Sequence, residues 1–419
     1  MLKSDPTAGL ATAPGSAGQA SLRSHNLRLA YQTIAQAAAP VSRADIAGAA
    51  GLTRATASSL VDALVQGSLV EELDVRASGR AGRPATPVRL ARGTVAGLGL
   101  EINVDYLAVK ALDLAGQVLD ERVQWTDLAG SDPTQAVLDL ANLARPVRRR
   151  LTAQKVRLAG ATLAVAGPVD RATGRLRSAP NLGWQDLDLL GLVRRRLRLP
   201  ELKVGNEATL AARAELASLG DHQASFVYVS GGVGIGAGIV QHGALYSGSH
   251  GWAGELGHVT VDAAGPPCAC GSNGCLEQYA GRSAILTAAG LATLPAAPRA
   301  TAAGGTGDAG AGGLEGDPTA QALHAAMSQA GRALGIALSG AINLMDLNTV
   351  VLGGDFAHLI RLLLPALRQE LELRVVSWGW APDDQFVRPA AGPALPAVAG
   401  AALAAIDRVA ANPAAYLAQ

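Results

Sequence analysis

The sequence predicts an α/β protein of two successive lobes behind an amino-terminal winged helix-turn-helix. Three observations predict it: short helices with capping signals near the amino terminus, strands alternating with helices from Gly93 onward, and one loop that gathers every cysteine of the protein. The 419 residues are 49% hydrophobic, enough for two or three domains with substantial cores. A formal net charge of +1 excludes a protein that is basic overall, so any nucleic-acid contact has to come from a local patch.

Residues 1–20 are mostly Ala, Gly, Ser, Thr and Pro with few large apolar side chains, and burial cannot repay the entropy of ordering them. A flexible tail is expected there. Ser24 is the expected N-cap of a helix running through Leu27, Tyr31 and Ile34 to about Ala38. Ser42 with Asp45 reads as a capping box opening a short helix that ends at Gly51, and Thr53 caps a second helix to Gln66. Two short helices around a tight turn form a helix-turn-helix. Arg54, Thr56, Ser58 and Ser59 lie near the start of the second helix, where one guanidinium and short hydroxyl side chains suit a major groove. Leu69–Leu73 and Pro87–Leu90 read as strands of a wing whose Gly-rich tip presents Arg80 and Arg83 to a minor groove or its phosphates. The alternative is a solvated hairpin behind a helical dimerisation module. Residues 21–91 are assigned to this module, which is expected to stay folded as an isolated fragment.

Beyond it, residues 92–204 with 398–419 are assigned to a first α/β lobe and 205–397 to a second. Strands are expected at Val95–Leu100, Tyr106–Leu112, Val156–Ala166 and Lys203–Asn206, with helices over 133–151 and from Asn206 through Leu216. Residues 179–188 read as a loop. The basic runs Arg148–Arg150 and Arg194–Arg196 fall near helix ends, where they complement the helix dipole, so neither is read as a nucleic-acid patch. Ala224–Val240 is uncharged but short and Gly-rich, which favours two buried strands around a tight turn over a membrane span. Residues 291–317 form an Ala/Gly insert expected to be a mobile surface loop. Leu323, Leu334, Leu338 and Met345 mark a long core helix, and a strand over Asn348–Leu352 enters Gly353-Gly354 before a closing helix. A cleft between two such lobes is the usual place for a small ligand. With no signal segment legible at the amino terminus, a cytoplasmic protein is expected.

The loop from Gly254 to Tyr279 carries the sharpest chemistry. Cys268, Cys270 and Cys275 lie within eight residues, His258 is ten residues before the first, and Glu255 and Glu277 bracket the cluster. One imidazole and three thiolates make a complete tetrahedral set for a structural Zn2+. The alternative, three unrelated core cysteines, fits poorly with a loop this rich in Gly and Pro. An odd number of cysteines in one loop also suits a metal in a reducing compartment better than disulfides.

GELGHVTV followed by CACGSNGCLEQY resembles the Glu-x-x-His and Cys-x-Cys-Gly-x-x-Gly-Cys-x-Glu signature of the ROK family, bacterial sugar kinases and sugar-responsive repressors of the actin/hexokinase-like fold. The winged module with Gly82–Ala85 (GRPA) resembles that of its repressor branch. The resemblance implies a sugar in the interlobe cleft, with Asn181, Asn206, Glu207, Glu255, His258 and Glu277 around it. It also implies that His258 gives one ring nitrogen to zinc and turns the other to the ligand. Trp184 and Trp252 are candidates for covering an apolar sugar face, with a core role as the alternative. Where kinases of the family carry a general-base Asp, this chain has Glu207. Their Asp-x-Gly-Gly-Thr-like phosphate loop is Gly99-Leu100-Glu101-Ile102-Asn103, and their Gly-Thr-Gly is Gly232-Val233-Gly234. No catalytic residue is therefore assigned. The expectation is a non-enzymatic, sugar-responsive repressor that binds operator DNA as a homodimer or homotetramer. The alternative is an ATP-dependent sugar kinase with Glu207 as base, and a third is a metal-responsive regulator.

Overall fold

The computed structural model describes residues 15–74, 86–220, 224–294, 318–380 and 386–418. Three helices and a strand pair form the amino-terminal module: α1 (Gly15–Gln36), α2 (Arg43–Ala49), α3 (Arg54–Gln66), β1 (Val70–Glu72) and β2 (Val88–Leu90). Ser42 and Asp45 close the expected capping box, and Thr53 Oγ1 accepts from Thr56 N at the start of α3. Helix α1 begins at Gly15, nine residues ahead of the expected cap at Ser24, through a stretch whose alanines favour helix. The expected wing tip with Arg80 and Arg83 lies outside the described residues.

The first lobe contains β3 (Val95–Ile102), β4 (Tyr106–Asp113), β5 (Val118–Trp125), α4 (Pro133–Ala153), β6 (Arg157–Val165), β7 (Leu176–Ala179), β8 (Trp184–Leu187), α5 (Leu189–Leu197) and β9 (Leu202–Asn206). Its main sheet has the order β5-β4-β3-β6-β9, antiparallel through the first three strands and parallel through the last three. Residues 179–188, expected to be a loop, instead hold most of a β7–β8 hairpin around a short 3-10 turn.

Helix α6 (Glu207–Leu219) leads into the second lobe: β10 (Phe226–Gly231), β11 (Ile235–Gln241), β12 (Ala244–Tyr246), α7 (Glu277–Ala280), α8 (Arg282–Ala289), α9 (Pro318–Met345), β13 (Val350–Gly354), α10 (Asp355–His358), α11 (Ile360–Arg374) and β14 (Val387–Pro389). Its sheet, β12-β11-β10-β13-β14, repeats the first lobe's pattern of antiparallel hairpin strands and parallel crossovers. Ala224–Val240 does form two paired strands, and no helix among the described residues is long and apolar enough to cross a membrane. Residues 295–317 of the expected insert lie outside the described residues.

The chain ends in α12 (Pro396–Ala411) and α13 (Pro413–Leu417). Helix α12 rests directly on β3, because a Cβ at Gly97 or Gly99 would stand 2.1 Å from Ala402 O or 2.0 Å from Val398 O. Helix α6 sits on β11 in the same way, over Gly236 and Gly238. Each lobe thus presents a Gly-x-Gly strand to one helix. The two helices then meet through Gly400 against Leu210 O and a bidentate Arg213–Asp407 pair at 2.7 Å. This two-helix layer joins the lobes.

The amino-terminal module is not a bead on a string. Leu27, Tyr31 and Leu64 belong to one buried cluster with Val95, Ile406, Val409 and Tyr416. Gly67 abuts Leu417, and the Arg157 guanidinium lies over the Tyr416 ring at 4.5 Å. Module, first lobe and carboxyl-terminal helices therefore share a core, which removes the basis for expecting an isolated 21–91 fragment to fold.

Candidate functional site

The turn bearing Glu255 and His258 is pressed against β11. A Cβ at Gly254 would meet Ala237 O at 2.0 Å, and one at Gly257 would meet Ile235 O at 2.3 Å. Gly254 also has φ near 101°, a region L side chains rarely adopt. The cysteine strand returns beside this turn through a Thr260–Cys275 bridge and the Leu276 N to Val259 O bond at 2.9 Å. His258, Cys268, Cys270 and Cys275 consequently gather, with all four potential ligand atoms within 4.8 Å of one another. The Cys270–Cys275 sulfur separation is 3.6 Å, and Cys268 Sγ stands 3.8 Å from His258 Nδ1. A tetrahedron with metal–sulfur bonds of about 2.3 Å has sulfur–sulfur edges of about 3.8 Å. The donor set fits zinc in both chemistry and spacing. Burial, followed by the neighbouring thiols of Cys270 and Cys268, pushes Cys275 up to about 12, and a bound cation would favour its thiolate. With Nδ1 facing the sulfurs, Nε2 remains for another partner.

Glu277 starts α7 one residue beyond Leu276, and its Oε2 accepts from Ile235 N at 3.1 Å. A Cβ at Gly234 would lie 2.7 Å from that oxygen and 3.0 Å from Asn181 Nδ2. Asn181 belongs to the first lobe and Glu277 to the second, so two of the sugar-binding candidates meet across the cleft at one glycine. The Gly232-Val233-Gly234 turn therefore faces the amide and carboxylate. Glu255 completes this wall: burial raises its carboxyl above the usual range, and Glu277 adds to the rise against the pull of His258.

Asn206 and Glu207 are differently employed. Asn206 Oδ1 caps α6 by accepting from Thr209 N at 3.1 Å, while its Nδ2 donates to Gly167 O at 3.1 Å. Glu207 Oε1 accepts from Ser230 Oγ at 3.1 Å, and burial raises its carboxyl. Nearby Glu101 is fully buried. It accepts from Tyr106 OH at 2.7 Å and from Val398 N, in the first turn of α12, at 3.0 Å. Its carboxyl is pushed up to about 8 by burial first and Glu207 second. Glu101 thus fills the end of a helix from within the chain, where an external anion would otherwise find free N–H groups.

The two candidate indoles differ: Trp184 is buried and Trp252 is exposed. Trp184 is 4% exposed and its Nε1 donates to Ser131 O, a core role. Trp252 stacks on His250 at 4.8 Å and lies 5.8 Å from the Arg177 guanidinium. Unanticipated from sequence is Arg282, which bonds Asp105 of the first lobe and Asp355 of the second. Its partners are 177 and 73 residues away, beyond any local pattern.

In the amino-terminal module, Arg54 and Ser59 are exposed, and Thr56 is drawn into the α3 cap by Thr53. Arg54 and Ser58 line a groove of about 370 Å³ with Ser42, Arg43, Ala44 and Thr86. Arg43 there is held by Asp62 and Glu72.

The ROK family model matches residues 97–408. A xylose repressor of Bacillus subtilis (strain 168) is 31% identical over 250 residues, 59% of this chain and 63% of that protein. The chain thus spans under two thirds of that relative's length. A glucokinase of Streptomyces coelicolor is 28% identical over 68% of this chain and 91% of its own. Among solved structures, a ROK family transcriptional regulator described as a homolog of E. coli MLC protein matches 94% of this chain and 99% of its own, with a TM-score of 0.71 and 25% identity.

Proposed function

The chain belongs to the ROK family, and from that premise we propose that it is a sugar-responsive transcriptional repressor that binds its ligand without phosphorylating it. The observation that carries this reading is the fusion in one chain of a helix-turn-helix module to a cleft walled by Asn181, Glu255, His258 and Glu277, through a common buried core. Similarity to a xylose repressor and to a ROK transcriptional regulator supports it. The module supplies Arg54, Thr56, Ser58 and Ser59 at the start of α3, and Arg80 and Arg83 from the wing, to operator DNA. Phosphate contacts make that affinity fall steeply with salt. A homodimer or homotetramer places two such modules on a pseudo-palindromic site. Zinc bound by His258, Cys268, Cys270 and Cys275 is structural, since four protein ligands leave no position for an activated water. It holds the turn carrying Glu255 and His258 against the strand leading into Glu277. Asn206 and Glu207 stand at the start of α6 beside this site, with Asn206 held by Thr209 N and Gly167 O and Glu207 by Ser230.

Sugar shifts the operator equilibrium only to the extent that it prefers one arrangement of the lobes. The test is operator binding by fluorescence anisotropy across a panel of monosaccharides. A sugar that changes operator affinity supports the reading; an affinity indifferent to every sugar refutes the sensing half.

Similarity to a glucokinase keeps a second reading in view, with Glu207 as base. Glu207 is instead bonded to Ser230 and set beside buried Glu101. A coupled assay for ADP formation separates the two: turnover that disappears in Glu207→Ala establishes the kinase.

A further inference from the structure

Two turns face each other across the cleft. One joins β3 to β4 and carries Asp105; the other joins β10 to β11 and contains Gly232 and Gly234. Arg282, the first residue of α8, spans them. Its Nη1 donates to Asp105 Oδ2 at 2.6 Å, its Nε to Asp355 Oδ2 at 2.8 Å, and its backbone N–H to Gly232 O at 3.0 Å. A single guanidinium therefore ties the first lobe to the second, beside the same β10–β11 turn at which Asn181 meets Glu277.

We propose that Arg282 is an interlobe latch that closes this half of the cleft to phosphorylated ligands, so that the effector is an uncharged sugar. The inference rests on the sugar-sensing reading and adds to it the ligand's chemical class. Its argument is the charge left over once the latch is formed. The guanidinium already serves two carboxylates, so the triad carries an excess negative charge. The Glu277 carboxylate lies beyond Gly234 of the same β10–β11 turn, on the ligand side of the latch. A phosphate approaching Arg282 competes with Asp105 and Asp355 for the guanidinium, and whether or not it displaces one it stays beside two carboxylates. In a partly buried cleft that repulsion is several times stronger than in water. An uncharged sugar displaces neither ion pair, because hydroxyls both donate and accept and suit the amide and carboxylates already present.

The test compares glucose, xylose and N-acetylglucosamine with glucose 6-phosphate and N-acetylglucosamine 6-phosphate by isothermal titration calorimetry on the full chain. The expected result is that a sugar binds and its phosphate ester binds at least tenfold more weakly. The double substitution Asp105→Asn with Asp355→Asn frees the guanidinium and should narrow that ratio at least fivefold. If the double variant does not fold, Asp105→Asn alone carries the same readout. A phosphate ester that binds the unaltered protein as tightly as its parent sugar overturns the inference and leaves the sensor reading standing. An unchanged ratio in a folded variant also overturns it. Absence of binding by every probe overturns both.

Discussion

Cys270 is exposed while Cys268 and Cys275 are buried, so its substitution tests the metal set with little effect on packing. Cys270→Ser is expected to reduce zinc from about one ion per chain to well below half, and to abolish the sugar-induced rise in melting temperature. Zinc assay and thermal shift on one preparation check both, and an intact sugar response without zinc would show that the metal does not support the sugar wall. Glu101 gives a pH prediction. Because its carboxyl is raised from 4.5 to about 8, the folded protein keeps a proton that the unfolded chain releases. This contribution is fully present below about pH 4.5 and is lost as pH rises toward about 8. The melting temperature should fall over that window, and the slope should be shallower in Glu101→Gln. At this scale the sequence is legible where partners are close: the Ser42–Asp45 box and the cysteine set sit within a few residues of one another. It is silent on Arg282 and on the bond from Glu101 to Val398 across 297 residues.

Helix α12 depends on two glycines of β3. Gly99→Val would drive a side chain into Val398 O and lift the helix from the sheet, a cost of about 3 kcal/mol or more, read as a lower urea midpoint. Helix α6 is anchored differently. Glu215 is fully buried and accepts from Arg388 Nη1 at 2.8 Å and Gly392 N at 2.8 Å. Glu215→Ala leaves those donors unpaired and should destabilise by about 3–5 kcal/mol. Elements with strong period were readable in advance: α3, α4, α9 and the strands β3, β4 and β6 fall close to their expected bounds. Strand β5 was not, because Asp120, Glu121, Arg122 and Gln124 mask its alternation, and β7 and β8 are only four residues each. Their pairing comes from a neighbour, a property that no short window contains.

For the molecule as a whole, the lobe pattern was legible because glycine turns mark several strand ends, such as Gly116 after β4 and Gly232–Gly234 between β10 and β11, while the seam between amino-terminal module and first lobe was not. That seam joins residues from both ends of the chain, and sequence distance hides it. A fragment of residues 21–91 should lose the apolar partners Ile406, Val409 and Tyr416 and melt broadly, or not fold; circular dichroism during heating decides. The shared core also bears on exchanging the amino-terminal module. An amino-terminal module grafted from a relative would arrive without the tail helix that fits against it, setting this chain's Leu417 against a foreign residue in place of Gly67. Functional chimaeras should therefore require both ends of the donor, 15–91 together with about 402–417, transplanted as one discontinuous part.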